Sequence, residues 1–161
     1  MGIFDESICD CCVCPMQCVL KQLVGANVVM LSKQSAVSGV IEEVKDFIVF
    51  ISSDGNGQLD QLPICNVTAV ICTSIDRLSP KLKPISNSNK HKGECNCCER
   101  PITSLASSLT GETVDVEFIG EPLDLDMSIT IVNVGKGILS GKVSDSPILI
   151  STCAITRIIP Q

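Results

Sequence analysis

A chain of 161 residues, 45% of them hydrophobic, has enough apolar material for one domain or two small ones. Its net charge of −6 and pI near 4.7 argue against nucleic acid as a main partner, because neutralising phosphates takes clustered Lys and Arg. Eleven cysteines beside no Trp, no Tyr and four Phe make a composition unlike that of an ordinary cytosolic enzyme.

The first residues, MGIFDESICD, lack the basic and apolar regions of a secretory signal, and no apolar run reaches membrane-spanning length. The expectation is a protein made in a cytosol and not held in a membrane. Disulfides rarely persist in a reducing cytosol. Either the thiols hold metal, or the protein ends in a compartment that later becomes oxidising.

CDCCVCPMQC then places Cys9, Cys11, Cys12, Cys14 and Cys18 within ten residues. Pro15 suits the first turn of a helix, where its missing N–H costs nothing. Met16, Val19, Leu20 and Leu23 follow helical spacing, and Gly25 stands where a helix C-terminal cap belongs. Five β-branched runs follow: NVVMLS, SGVIEEV, DFIVFIS, QLPI and VTAVIC, with DGNG at 54–57 as a hairpin turn. A polar stretch rich in Pro, Ser, Asn and Lys reads as a linker. Its basic cluster of Lys81, Lys83, Lys90, His91 and Lys92 reads as a solvated connector.

The pattern then starts again. Residues 95–116 match residues 9–30 without a gap, so that Cys9, Cys11, Cys12, Pro15, Leu23, Gly25 and Val28 meet Cys95, Cys97, Cys98, Pro101, Leu109, Gly111 and Val114. LPICNVTAVI at 62–71 corresponds to ISTCAITRII at 150–159, which sets Cys65 opposite Cys153. Ile102, Leu105, Ala106 and Leu109 predict a second helix capped by Gly111. TVDVEFI, MSITIVNV, GILSGKV, PILI and AITRII predict five more strands. The expected fold is mainly β: two tandem small barrels, each preceded by a cysteine-rich arm and a short helix. The boundaries are an arm at 1–14, a barrel at 15–75, a linker with the second arm at 76–100, and a barrel at 101–161.

The residues Leu23, Gly25, Val28, Gly39, Ile41, Val44, Ile48 and Phe50, with Val67 to Ile71 as a closing strand, resemble the pattern of Sm-like (SH3-like) small barrels. The second repeat departs from it where the glycine of its second strand is missing. The resemblance implies that strand edges four and five pair between neighbours, giving rings or stacks. The aromatic platforms and basic face that would suit an RNA-binding member are lacking. Tandem Sm-like repeats joined to cysteine-rich, aromatic-poor segments also resemble surface-layer proteins of Bacillus-type spores, of the spore coat protein B type. That resemblance implies a cytosolically made structural protein, deposited on the spore coat or exosporium among other spore surface proteins.

Three chemistries compete for the cysteines. Zinc needs four converging ligands. CDCC and CNCC lack the usual spacing, although Cys9, Cys12, Cys95 and Cys98 could form a set. Redox catalysis has thiols ahead of a helix N-terminus, but neither a thioredoxin-like context nor a second catalytic group, so no enzyme is expected. Covalent cross-linking is the favoured reading, through Cys9, Cys11, Cys12, Cys14, Cys65, Cys95, Cys97, Cys98 and Cys153, with no cofactor. In an extended arm Cys11 and Cys12 would face opposite sides and serve different partners. A link from an arm cysteine to Cys65 or Cys153, within a repeat or to the next, would explain why both copies carry that position. Cys18 and Cys72 suit small buried hydrophobes. Eleven is odd, so at least one thiol stays free or pairs between chains. The function expected is self-assembly, the chain itself being the main partner. A zinc-binding adaptor is the alternative, and a nucleic-acid-binding Sm-like module the third reading.

Overall fold

The computed structural model describes residues 11–53, 57–74, 80–85, 99–120 and 125–161. Each repeat opens with a short helix, α1 (Val13–Gln22) and α2 (Arg100–Ser108). Pro15 and Pro101 fall in their first turns, where no helical hydrogen bond is lost. Met16, Val19, Leu20 and Leu23 are all buried. On α2, Ala106 is buried and Ile102 and Leu109 pack with it. Leu105, read as part of that face, is exposed, and Thr103 takes the buried place because its hydroxyl donates to Glu99.

Gly25 and Gly111 leave the helices with φ of 85° and 90°, a region that costs an L side chain roughly 1–2 kcal/mol. The turn they make is latched to the sheet in the same way twice. The Gly25 N–H donates to the Ile41 carbonyl at 2.7 Å and Ile41 N–H returns to Ala26 at 3.1 Å. Gly111 donates to Ile131 at 2.8 Å and Ile131 N–H returns to Glu112 at 3.0 Å.

The strands are β1 (Asn27–Ser32), β2 (Ala36–Lys45), β3 (Ile48–Ser52), β4 (Leu59–Pro63) and β5 (Val67–Cys72), then β6 (Thr113–Phe118), β7 (Leu125–Gly135), β8 (Ile138–Val143), β9 (Ser146–Ser151) and β10 (Ile155–Pro160). A 3-10 turn precedes the last strand of each repeat, at Ile64–Asn66 and at Thr152–Ala154. β3 and β4 pair as the expected hairpin, from Ser52 opposite Leu59 to Ile48 opposite Pro63; of its DGNG turn, residues 54–56 lie outside the described residues. The register of β2 on β3 shifts between Ile41 and Glu43, and that of β7 on β8 between Ile131 and Asn133. A bulge at the same place in both repeats bends the long second strand.

The chain is mainly β, and the ten strands among the described residues form one open antiparallel sheet in the order β10-β6-β7-β8-β9-β5-β1-β2-β3-β4. The repeats meet at β5 and β9, with Ala69 opposite Ile150, Val70 opposite Leu149 and Ile71 opposite Ile148. Both hydrophobic cores cross this joint. The first includes Ile138 and Leu149 from the second repeat, and the second includes Leu31 and Ala69 from the first. Part of the stretch read as a solvated connector is docked. Leu82 packs on the first core, Gln22 exchanges hydrogen bonds with the Lys81 backbone, and Lys136 N–H donates to the Lys83 carbonyl.

The glycine missing from the second repeat has moved to a neighbouring strand. A Cβ on Gly39 would lie 2.2 Å from the Ser52 carbonyl oxygen and 2.8 Å from Ile51 Cγ2. In the second repeat the register puts Ile129 where Gly39 stands, opposite Val114 as Gly39 is opposite Val28. Gly141 stands where Ile51 does, opposite Ile131 as Ile51 is opposite Ile41. One large and one small residue fill each site, with the strands exchanged. Because a backbone oxygen blocks the Cβ, Gly39→Ala is expected to destabilise the fold by roughly 3 kcal/mol, read from the shift of a denaturant midpoint.

Candidate cross-linking site

The residues ahead of α1 turn at 11–12 and enter the helix with Cys11, Cys12 and Cys14 all buried. Cys12 is bonded to Cys153, its Cα 6.2 Å from that of a residue 141 positions along the chain. The bridge carries the arm of the first repeat onto the 3-10 turn of the second. Cys11 and Cys14 are disulfide-bonded as well. Cys11 and Cys12 do not face apart. Cys11 Sγ lies 3.8 Å from Cys153 Sγ, because the backbone here is a turn and not an extended strand, and a turn brings neighbouring side chains to one side.

The arm passes over the tip of the β7–β8 hairpin. Gly137, at φ 76°, faces it so closely that a Cβ would lie 2.5 Å from the Cys11 carbonyl oxygen and 3.1 Å from Pro15 Cγ. Glu99, buried just ahead of α2, holds this tip: its carboxylate accepts from the Gly137 N–H at 3.0 Å, from Thr152 Oγ1 at 3.5 Å and from the Thr103 hydroxyl. In the first repeat the corresponding Phe47 N–H donates to Gln17 Oε1 at 3.0 Å. Glu99, Gly137 and Thr152 were not singled out from the sequence. The only signal was the GKG at 135–137 between two apolar runs.

Cys11, Cys12, Met16, Cys65, Ile119 and Cys153 border a cleft of about 340 Å³ beside the joint. Cys65 lies in the 3-10 turn at the end of β4 and is exposed with a free thiol. Cys18 is half-buried and free on α1, and Cys72 is buried and free at the end of β5. Cys9, Cys95, Cys97 and Cys98 lie outside the described residues. Of the alternative zinc set, only Cys12 is described, and it is oxidised. The Sγ atoms of Cys11, Cys12 and Cys153 lie within 4.8 Å of one another, close enough to share an ion as thiolates. A disulfide offers no thiolate to a metal. No helix among the described residues is long and apolar enough to cross a membrane.

The free thiols differ in chemistry. Burial pushes Cys72 up from 9.0 to about 11, because a thiolate there would lose its hydration. That shift alone lowers its thiolate fraction about 100-fold near neutral pH. An alkylating reagent at pH 8 is expected to modify Cys65 first and Cys72 only on unfolding, as read by mass spectrometry. The contribution of Cys72 to stability is complete below pH 9 and is lost between pH 9 and 11, where the unfolded thiol ionises and the folded one resists. Compared with protein-family models and with curated proteins, the chain matches none.

Proposed function

We propose that the chain is a non-enzymatic structural protein of a spore surface layer, coat or exosporium, which assembles with itself by pairing strand edges and locks the contacts with disulfides. In this reading 15–75 and 101–161 are two small Sm-like barrels, each open between its fourth and fifth strands, carried behind arms at 1–14 and 76–100. One observation supports it most. The fifth strand of the first repeat pairs with the fourth strand of the second, and the Cys12–Cys153 bridge fastens that joint. The sheet then ends on β4, a fourth strand, and on β10, a fifth strand. Two ends of complementary kind make a head-to-tail contact, which gives a ring if it closes and a fibre if it does not.

Electron microscopy with non-reducing electrophoresis tests this. Ordered polymers that need reductant to dissolve in detergent are expected. Monomers that run identically with and without reductant would overturn the proposal. The second reading, a zinc-binding adaptor, draws on the three sulfurs within 4.8 Å. Stoichiometric zinc that survives gel filtration of protein purified without chelator would favour it.

A further inference from the structure

We infer that Cys65 is the exchange partner of the Cys12–Cys153 bridge: its thiolate takes Cys153 from Cys12, and the joint passes from a clamped arm to a direct staple between the two 3-10 turns. The inference does not rest on self-assembly and holds for a single chain. Cys65 and Cys153 occupy the same place in the two repeats, each in the 3-10 turn before the last strand. The joint brings those turns together. β5 and β9 pair antiparallel, from Ile71 opposite Ile148 to Ala69 opposite Ile150. At the Ala69–Ile150 end, β5 is entered from the turn Ile64–Asn66, and β9 runs out into the turn Thr152–Ala154. Both turns line the cleft of about 340 Å³, with Ile64 and Cys65 from one, and Cys153 and Ala154 from the other.

The surroundings select both the nucleophile and the sulfur it attacks. Among the described residues Cys65 is free and borders this cleft, whereas the free Cys18 and Cys72 do not border it. Cys11 Sγ lies 3.8 Å from Cys153 Sγ, but Cys11 is itself bonded and is not the nucleophile. Cys153 is exposed and Cys12 is buried, so attack from the cleft falls on the Cys153 sulfur. The leaving sulfur has a donor in place, since Cys12 Sγ lies 3.7 Å from Thr152 Oγ1. That hydroxyl has one hydrogen, which it gives to the Glu99 carboxylate 3.5 Å away while the bridge is closed. When Cys12 departs as a thiolate the hydrogen turns to it, and a charge-assisted hydrogen bond makes Cys12 the better leaving group. Glu99 keeps its other donors, the Thr103 hydroxyl and the Gly137 N–H.

The step consumes no oxidant or reductant. Cys65 gives its proton to solvent and its thiolate attacks Cys153 Sγ. The bond from Cys153 to Cys12 breaks as the bond to Cys65 forms, and the Cys12 thiolate takes a proton from solvent. The new bridge closes a shorter loop than the old one. Loop entropy varies only with the logarithm of length, so chain entropy leaves both bridges accessible, with the Cys12 form as the resting one. What changes is the arm. It loses its fastener over the Gly137 backbone, while the staple keeps the two repeats joined.

Oxidised full-length chains of natural isotope content and chains labelled with nitrogen-15 are mixed while dilute and unassembled, held at pH 6 or pH 8, quenched with acid and digested by pepsin without reduction. Mass spectrometry is expected to find a Cys65–Cys153 pair beside the Cys12–Cys153 pair, formed faster at pH 8 and with both halves carrying one label. Cys65→Ser loses that pair. Thr152→Val slows its appearance several-fold, while iodoacetamide modifies Cys65 at the wild-type rate, as a residue acting on the leaving sulfur requires. Absence of the pair at pH 8 overturns the inference. So does a pair that mixes labels, which is a link between copies, or a Cys18–Cys153 pair of equal yield, which is general scrambling. Polymer formation is scored apart by light scattering, so this inference and self-assembly fail independently.

Discussion

Gln61→Pro is expected to weaken assembly about 100-fold while leaving the chain folded. β4 pairs with β3 on one side only, and Pro63 shows which way its donors face. A proline is tolerated in a strand where its missing N–H would have pointed away from the ladder. Pro63 lies opposite Ile48 in that ladder, so the residue two positions earlier, Gln61, also turns its N–H outward. The other end of the sheet repeats this. Pro160 lies opposite Val114 on β6, and two residues before it Ile158 is left with an outward N–H. Gln61 and Ile158 are the pair that the inner joint sets opposite each other as Leu149 and Val70. Proline at 61 removes one hydrogen bond and puts a ring in the path of the partner strand, together roughly 3 kcal/mol. The concentration needed for assembly should therefore rise about 100-fold, measured by light scattering, with the thermal midpoint within a few degrees of wild type. The variant keeps a sound β10, so it should also cap growing polymers when mixed with wild type at a small fraction. A variant that assembles at the wild-type concentration would show that β4 is not the contact.

What was legible in the sequence follows from the range over which each interaction acts. β1 and β5 lie within NVVMLS and VTAVIC because β-branched residues bounded by turn formers specify a strand locally. The first helix face is equally local, since four apolar residues at helical spacing need only a surface to cover. Leu105 misled because a hydroxyl at Thr103 with a carboxylate partner outcompeted an apolar side chain for the buried position. The repeat announced that Cys65 and Cys153 are equivalent, and the structure separates them. Cys153 is bonded to Cys12 of the first arm, while Cys65 is exposed and free. Glu99 and Gly137 were hidden for another reason. Their importance comes from each other, 38 residues apart, and from the crossing arm, which faces Gly137, and no local pattern records such contacts. The displaced glycine of the second repeat is intermediate: Gly141 is visible as a residue, and its meaning appears only when β7 and β8 are paired.

Cys153→Ser is expected to cause the largest loss of stability of any single change at the joint. Cys12 and Cys153 close a loop across 141 positions. For a loop of that length the entropy removed from the unfolded chain corresponds to about 5 kcal/mol. Loss of a native bridge commonly costs less than this limit, and the expected loss is roughly 2–4 kcal/mol. A chain of this size should then melt about 5–15 °C lower. Two comparisons separate the bridge from simple packing. In strong reductant wild type and Cys153→Ser should converge, because both then lack the link. Cys65→Ser should match wild type as an unassembled chain, because Cys65 is exposed and unbridged there. The pair of serine variants sits at equivalent positions of the two repeats, so a large effect at 153 and none at 65 would assign the stabilisation to the arm crossing the joint. Equal effects at both positions would mean that the 3-10 turn itself, and not the bridge, holds the repeats together.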